Sequence, residues 1–152
     1  MGTTAKYNLL HYCDNFLKER IDTLTMAISD SRISSWQDTK SSAGDKYETS
    51  REMIQGEIAQ NARQLEEAQK LITVIEQIKN ASPDSNTIVV GSLVQTDKRN
   101  FFIGIPIGVV ELEQTEYAII SSSSPIGLIL MGKKKGDVFQ FQNKTYTIEN
   151  IY

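Results

Sequence analysis

The series Ile54, Ile58, Asn61, Leu65, Ala68, Ile72 and Ile75 alternates strictly in steps of four and three. A run of this kind keeps one narrow stripe in register along a helix, which is the seam of a two-stranded coiled coil. The spacing predicts a helix from about Asp45 to Lys79. Neither Pro nor any Gly but Gly56 interrupts it. At 1.5 Å per residue such a helix extends roughly 50 Å. A single stripe is marginal in water, so it needs a partner helix.

The partner lies upstream. From Tyr7 to about Ile33, Leu10, Cys13, Leu17, Leu24 and Ala27 follow the same spacing if Arg20 fills the gap, and Ile21 and Ile28 widen the stripe. The intervening segment, Ser34 to Gly44, is poor in helix formers and rich in side chains that compete for backbone hydrogen bonds. It reads as a turn. The two helices are therefore expected to form an antiparallel coiled-coil hairpin over residues 1–80, with the tip near 34–48, at the end of a long projection. A polar Asn61 in the seam fixes register rather than marking a site.

Composition changes at Asn80: all three prolines and most glycines lie beyond it. Thr87–Thr96, Asn100–Pro106, Tyr117–Ser121, Val138–Gln142 and Lys144–Ile151 read as strands, with a turn at Gln142–Asn143. Pro125–Met131 reads as a short helix with Ser124 as N-cap, Pro125 in its first turn and Gly132 as a left-handed C-cap. Residues 81–152 thus form an antiparallel β domain with one helix, an α+β half-barrel.

The charge is −3 overall, with 10 basic and 12 acidic residues up to Asn80 and 6 and 7 beyond. Neither half carries the basic stripe that phosphate-backbone binding needs. The Lys133–Lys135 run reads as a solvated turn or a small patch. No apolar run spans a membrane, and a lone Cys13 forms no internal disulfide, which together suggest the cytoplasm. Cys13 reads as a buried structural thiol. His11 and Cys13, two apart on a helix, diverge and cannot form a catalytic pair. With one Cys, one His and no expected room for a substrate cavity, a free-standing condensing or acyl-transfer enzyme is disfavoured.

The run from Ile120 to Asp137 resembles a signature of the bacterial Gre transcript-cleavage factors, I-S-x-x-S-P-I-G-x-A-L-x-G-K-x-x-G-D. It keeps Ser124, Pro125, Ile126, Gly127, Leu130, Gly132, Lys133, Gly136 and Asp137, and departs at Ile129 where Ala is usual. The resemblance covers nearly the whole chain, including the ending Tyr146–Tyr152. It implies an FKBP-like C-terminal domain docking at the rim of RNA polymerase's secondary channel, and a hairpin entering that channel. The chain would act as a monomeric elongation regulator, meeting nascent RNA only inside the polymerase complex. It would be no enzyme itself and would have no cofactor of its own.

The family's tip carries two acidic residues that hold a Mg²⁺ ion. Matching Gly44-Asp45-Lys46-Tyr47-Glu48 to it puts Asp45 and Glu48 on those positions, as metal-holding residues only in complex with polymerase. An ungapped match through Tyr47-Glu-Thr-Ser-Arg-Glu52 puts Lys40 and Ala43 there instead. Asp45 and Glu48 also fit a capping-box-like helix start, with Ser42 as an alternative cap. Asp38 could add a carboxylate from across the loop. Trp36 either packs on Tyr47 or faces a partner. The expected partner-contacting residues are Trp36, Asp38, Lys46 and Tyr47 at the tip, and Ser124, Pro125, Ile126, Gly127 and Lys133 in the C-terminal domain.

Overall fold

The computed structural model describes residues 2–40, 44–81 and 86–152, with the side chains of 37–40 and 44–48 outside the described set. The fold is α+β. Two long helices, α1 (Gly2–Lys40) and α2 (Gly44–Asn80), precede strands β1 (Leu93–Thr96), β2 (Asn100–Gly104), β3 (Gly108–Leu112) and β4 (Thr115–Ser121). The helix α3 (Pro125–Leu130) and strands β5 (Val138–Phe141) and β6 (Lys144–Ile151) complete the chain. No helix among the described residues is long and apolar enough to cross a membrane. The chain divides into two compact units, Asn15–Ile72 and Met1–Asp14 with Thr73–Tyr152. That division cuts both long helices, whereas the composition break lies at Asn80.

In α2 the expected seam is the sheltered face. Ala68 and Ile75 are buried, and Ile54, Ile58, Asn61, Leu65 and Ile72 are half-buried. In α1 the sheltered stripe is rotated from the expected one. Leu9, Cys13, Leu17, Leu24 and Ile28 are buried, while Leu10 and Ala27 are only half-buried. Arg20 is exposed, and Ile21 bridges the gap it was expected to fill. The difference is physical: an apolar side chain supplies burial free energy that a guanidinium does not.

The first helix also outruns its expected end at Ile33 and continues to Lys40. Ser, Thr, Asp and Gln each cost at most about 0.7 kcal/mol in a helix, and no Gly or Pro stands before Gly44 to stop it. Only residues 41–43 separate the helices.

The six strands form one sheet in the order β3-β4-β2-β1-β6-β5. It is mixed, not antiparallel as expected: β2 and β4 pair in parallel from Asn100↔Tyr117 to Gly104↔Ser121. After β2 the chain passes to the sheet edge as β3, which the sequence reading missed, and returns as β4 through a two-residue turn. Glu113 (φ 49°) and Gln114 (φ 65°) both adopt the left-handed conformation there, as a primed hairpin turn requires. Neither residue type advertises it. The expected turn at Gln142–Asn143 (φ 51° and 64°) has the same form.

The first expected strand is shorter than its β-branched run. A turn at Val89–Ser92 occupies its start, with Ser92 Oγ accepting from Val89 N at 3.0 Å and Gly91 at φ 98°. One sheet face, with Val94, Phe101, Ile103, Ala118 and Ile148, packs on Ile126 and Leu130 of α3. Phe101, Phe139 and Tyr146 interlock there, with Phe139 stacked on Tyr146 at 5.0 Å and Phe101 edge-on to both. The other face carries the paired, buried Leu93, Phe102 and Ile119. Ile78 of α2 reaches it so closely that a Cβ on Gly91 would sit 3.0 Å from Ile78 Cγ2.

Candidate functional site

Asp45, Lys46, Tyr47 and Glu48 fall in the opening turns of α2, and Asp38 in the last turn of α1. Their side chains lie outside the described residues, as does that of Lys40, and Ser42 and Ala43 lie there entirely. Trp36 is on α1 and is 61% exposed.

The Ser121–Asp137 segment is described in full, and its signature residues each hold the backbone in place. Ser124 Oγ donates to the Ser121 carbonyl at 2.7 Å and accepts from Gly127 N at 3.1 Å, capping α3 while tying it to the end of β4. Pro125 occupies the start of the helix, where a missing N–H costs nothing. Ile126 and Leu130 are buried. A Cβ at Gly127 would be driven into the Ser121 carbonyl oxygen, and would stand 2.9 Å from Ser124 Oγ. Only glycine fits.

Downstream, Gly132 (φ 83°) and Gly136 (φ 90°) take left-handed conformations. Gly132 N donates to the Ile88 carbonyl and Ile88 N to the Lys133 carbonyl, both at 2.9 Å. Asp137 closes the lysine turn: its Oδ2 accepts from Lys134 N at 2.8 Å, and its backbone carbonyl accepts from Ile148 N at 2.9 Å. Comparison with family models, with curated proteins and with solved structures returns no match for this chain.

Of the expected C-terminal contact residues, Ile126 and Gly127 are thus spent on packing, and Ser124 on capping. Lys133 is half-buried and anchors Ile88 through its carbonyl. Leu128, 68% exposed, and Met131, 36% exposed, stand one turn apart at α3 and face outward between those anchors. They escaped the sequence reading because an apolar run of seven residues does not reveal which member faces solvent.

A second feature contradicts the expectation that no cavity has room to form. A cavity of about 590 Å³ opens within the unit that contains the sheet. Its walls include Thr4 of α1, Gln95 of β1, Asn100 of β2, Glu113 of the β3–β4 turn, Tyr117 of β4 and Tyr152. The start of α1 lies close against Tyr152, so that a Cβ on Gly2 would collide with its ring. Glu113 is oriented by Asn8, whose Nδ2 donates to Oε1 at 3.3 Å. Residues from five separate stretches of chain form these walls, so no local motif signals them.

Proposed function

We propose that the chain regulates transcript elongation by binding RNA polymerase in the manner of the Gre factors. In this reading α1 and α2 form an antiparallel coiled-coil hairpin that enters the secondary channel, and an FKBP-like C-terminal domain docks at its rim. The observation that carries it is a heptad-spaced sheltered stripe on α2 and a sheltered apolar stripe on α1, two helices of 37 and 39 residues with three residues between them. The signature from Ser121 to Asp137 supports the same reading, since its geometry accounts for each glycine and for Ser124.

Asp45 and Glu48, in the first turns of α2, are the residues that would hold a Mg²⁺ ion inside the polymerase complex. Mg²⁺ takes one or two carboxylates and completes its octahedron with water and phosphate. Such an ion would polarise the attacking water and stabilise the leaving oxygen on backtracked RNA. This chain's contribution is to position carboxylates, and the reacting site belongs to the polymerase.

A peptide-isomerising or peptide-binding reading of the sheet fares worse. Phe101, Phe102, Phe139 and Tyr146 are buried in packing, and Tyr117 and Tyr152 line the cavity from separate stretches of chain without the dense aromatic lining such activity needs.

The test is reconstitution with core polymerase from the source organism on a backtracked elongation complex. The expected results are co-elution with polymerase and shortening of the RNA 3′ end. The double substitution Asp45→Ala/Glu48→Ala should lower cleavage on the order of a hundredfold, as loss of a charge-stabilising group does, and leave binding unchanged. Binding without cleavage by the unmodified chain would assign it instead as a channel-occluding competitor. Absence of any association would overturn the reading.

A further inference from the structure

The cavity beside the start of α1 is not explained by polymerase docking, and its walls define a ligand class. We propose that it binds a neutral, flat heterocycle carrying donors and acceptors in its plane, namely a nucleobase or its nucleoside.

Size is the first argument: about 590 Å³ lies within the range of small-molecule sites. Charge is the second. The ionisable wall residues apart from tyrosine reduce to one carboxylate, Glu113, with no Lys or Arg among the described lining. The first residues of α1, a 39-residue helix whose N-terminal end carries partial positive charge, line the same cavity. The two offset each other. A free cation would meet the helix end and a free anion would meet Glu113, so a neutral ligand is favoured over both.

The third argument is the kind of polar group. Gln95 and Asn100 bring side-chain amides, the groups that read base edges; Asn100 donates through Nδ2 to the Glu116 carbonyl at a long 3.5 Å, which leaves its Oδ1 and second N–H for a base edge. Gln95 spends its carbonyl oxygen on Asn150 Nδ2 at 3.1 Å, which leaves its NH₂ for a ligand acceptor. Tyr117 and Tyr152 add aromatic rings of the sort on which bases stack. Glu113, held by Asn8, is a ready acceptor for a sugar hydroxyl.

The test uses the ¹⁵N-labelled full chain and titrates adenosine, guanosine, cytidine and uridine, with putrescine and inorganic phosphate as charged controls. At least one nucleoside should give saturable shifts of the Gln95 and Asn100 side-chain NH₂ signals, at lower concentration than either control. Asn100→Ala should weaken that binding at least about tenfold, the loss of one bidentate amide–base pair. Thr4→Trp, a change at an exposed helical position, should block the cavity while the rest of the spectrum is retained, and it keeps the test decisive if Asn100→Ala misfolds. No saturable nucleoside shift, equal affinity in the Thr4→Trp chain, or tighter binding of putrescine or phosphate would overturn the proposal. Polymerase association is measured separately and is independent of these outcomes.

Discussion

Two glycine-to-alanine substitutions should change stability in opposite directions. Gly56 lies inside α2 with open space where a Cβ would go. Alanine there removes glycine's conformational cost and should stabilise the chain by about 0.5–1 kcal/mol. Gly127 lies in α3 and would collect the same propensity gain, but its Cβ meets the Ser121 backbone carbonyl, which cannot swing aside as a side-chain tip would. Relief requires α3 to move away from β4. The Ser124 cap is then lost, at about 1 kcal/mol, and Leu130, now fully buried, is partly uncovered, at about 1–1.5 kcal/mol, roughly half the cost of full exposure. Against a gain of at most about 1 kcal/mol, Gly127→Ala should destabilise by about 1–1.5 kcal/mol. For a chain of this size that lowers Tm by about 2–6 °C. Urea unfolding followed by tyrosine near-ultraviolet dichroism measures it. Trp36 belongs to the other compact unit and is the wrong probe. A Gly127→Ala chain as stable as the unmodified one would refute the close approach, and with it the account of why this signature carries glycine.

Two further predictions concern ionisable groups. Burial pushes the Cys13 thiol up to about 12 from its ordinary 9.0, its neighbour Asp14 adding to the rise against the opposing pull of its own backbone hydrogen bond. The folded state holds that proton more tightly, so its contribution to stability is intact below about pH 9 and falls as pH rises toward 12. Modification by a disulfide reagent at pH 8 should be slower by on the order of 10³-fold than in urea, and labelling of the folded chain at the rate seen in urea would contradict the burial. Asp97 behaves in the reverse sense: its carboxylate accepts from Thr147 N at 2.9 Å and from Lys98 Nζ at 3.1 Å, which hold it below the ordinary carboxylate range. That stabilisation is present above the unfolded value near 4 and is lost as pH falls through the lower folded value. Asp97→Asn should therefore show a shallower loss of stability between pH 5 and 2 than the unmodified chain. An identical acid profile would remove Asp97 from the linkage.

What the sequence determined by itself were the features that depend on neighbours along the chain. The α2 stripe was legible because a helix repeats its faces every three or four residues whatever lies beyond it. The α3 helix was legible because Ser124, Pro125 and Gly132 act through backbone geometry within a single turn. The Gln142–Asn143 hairpin turn was legible for the same reason.

What tertiary structure decided were the questions of which surfaces meet. The stripe of α1 settled on Leu9 and Ile28 rather than Leu10 and Ala27, a choice that local spacing leaves nearly degenerate. The Glu113–Gln114 turn and the parallel pairing of β2 with β4 depend on where the returning strand finds an edge. The cavity walls converge only after the first turn of α1 and four strand regions share one unit. Local periodicity fixes a side chain's direction on its own element, but burial depends on what stands opposite, and that is a property of the whole fold.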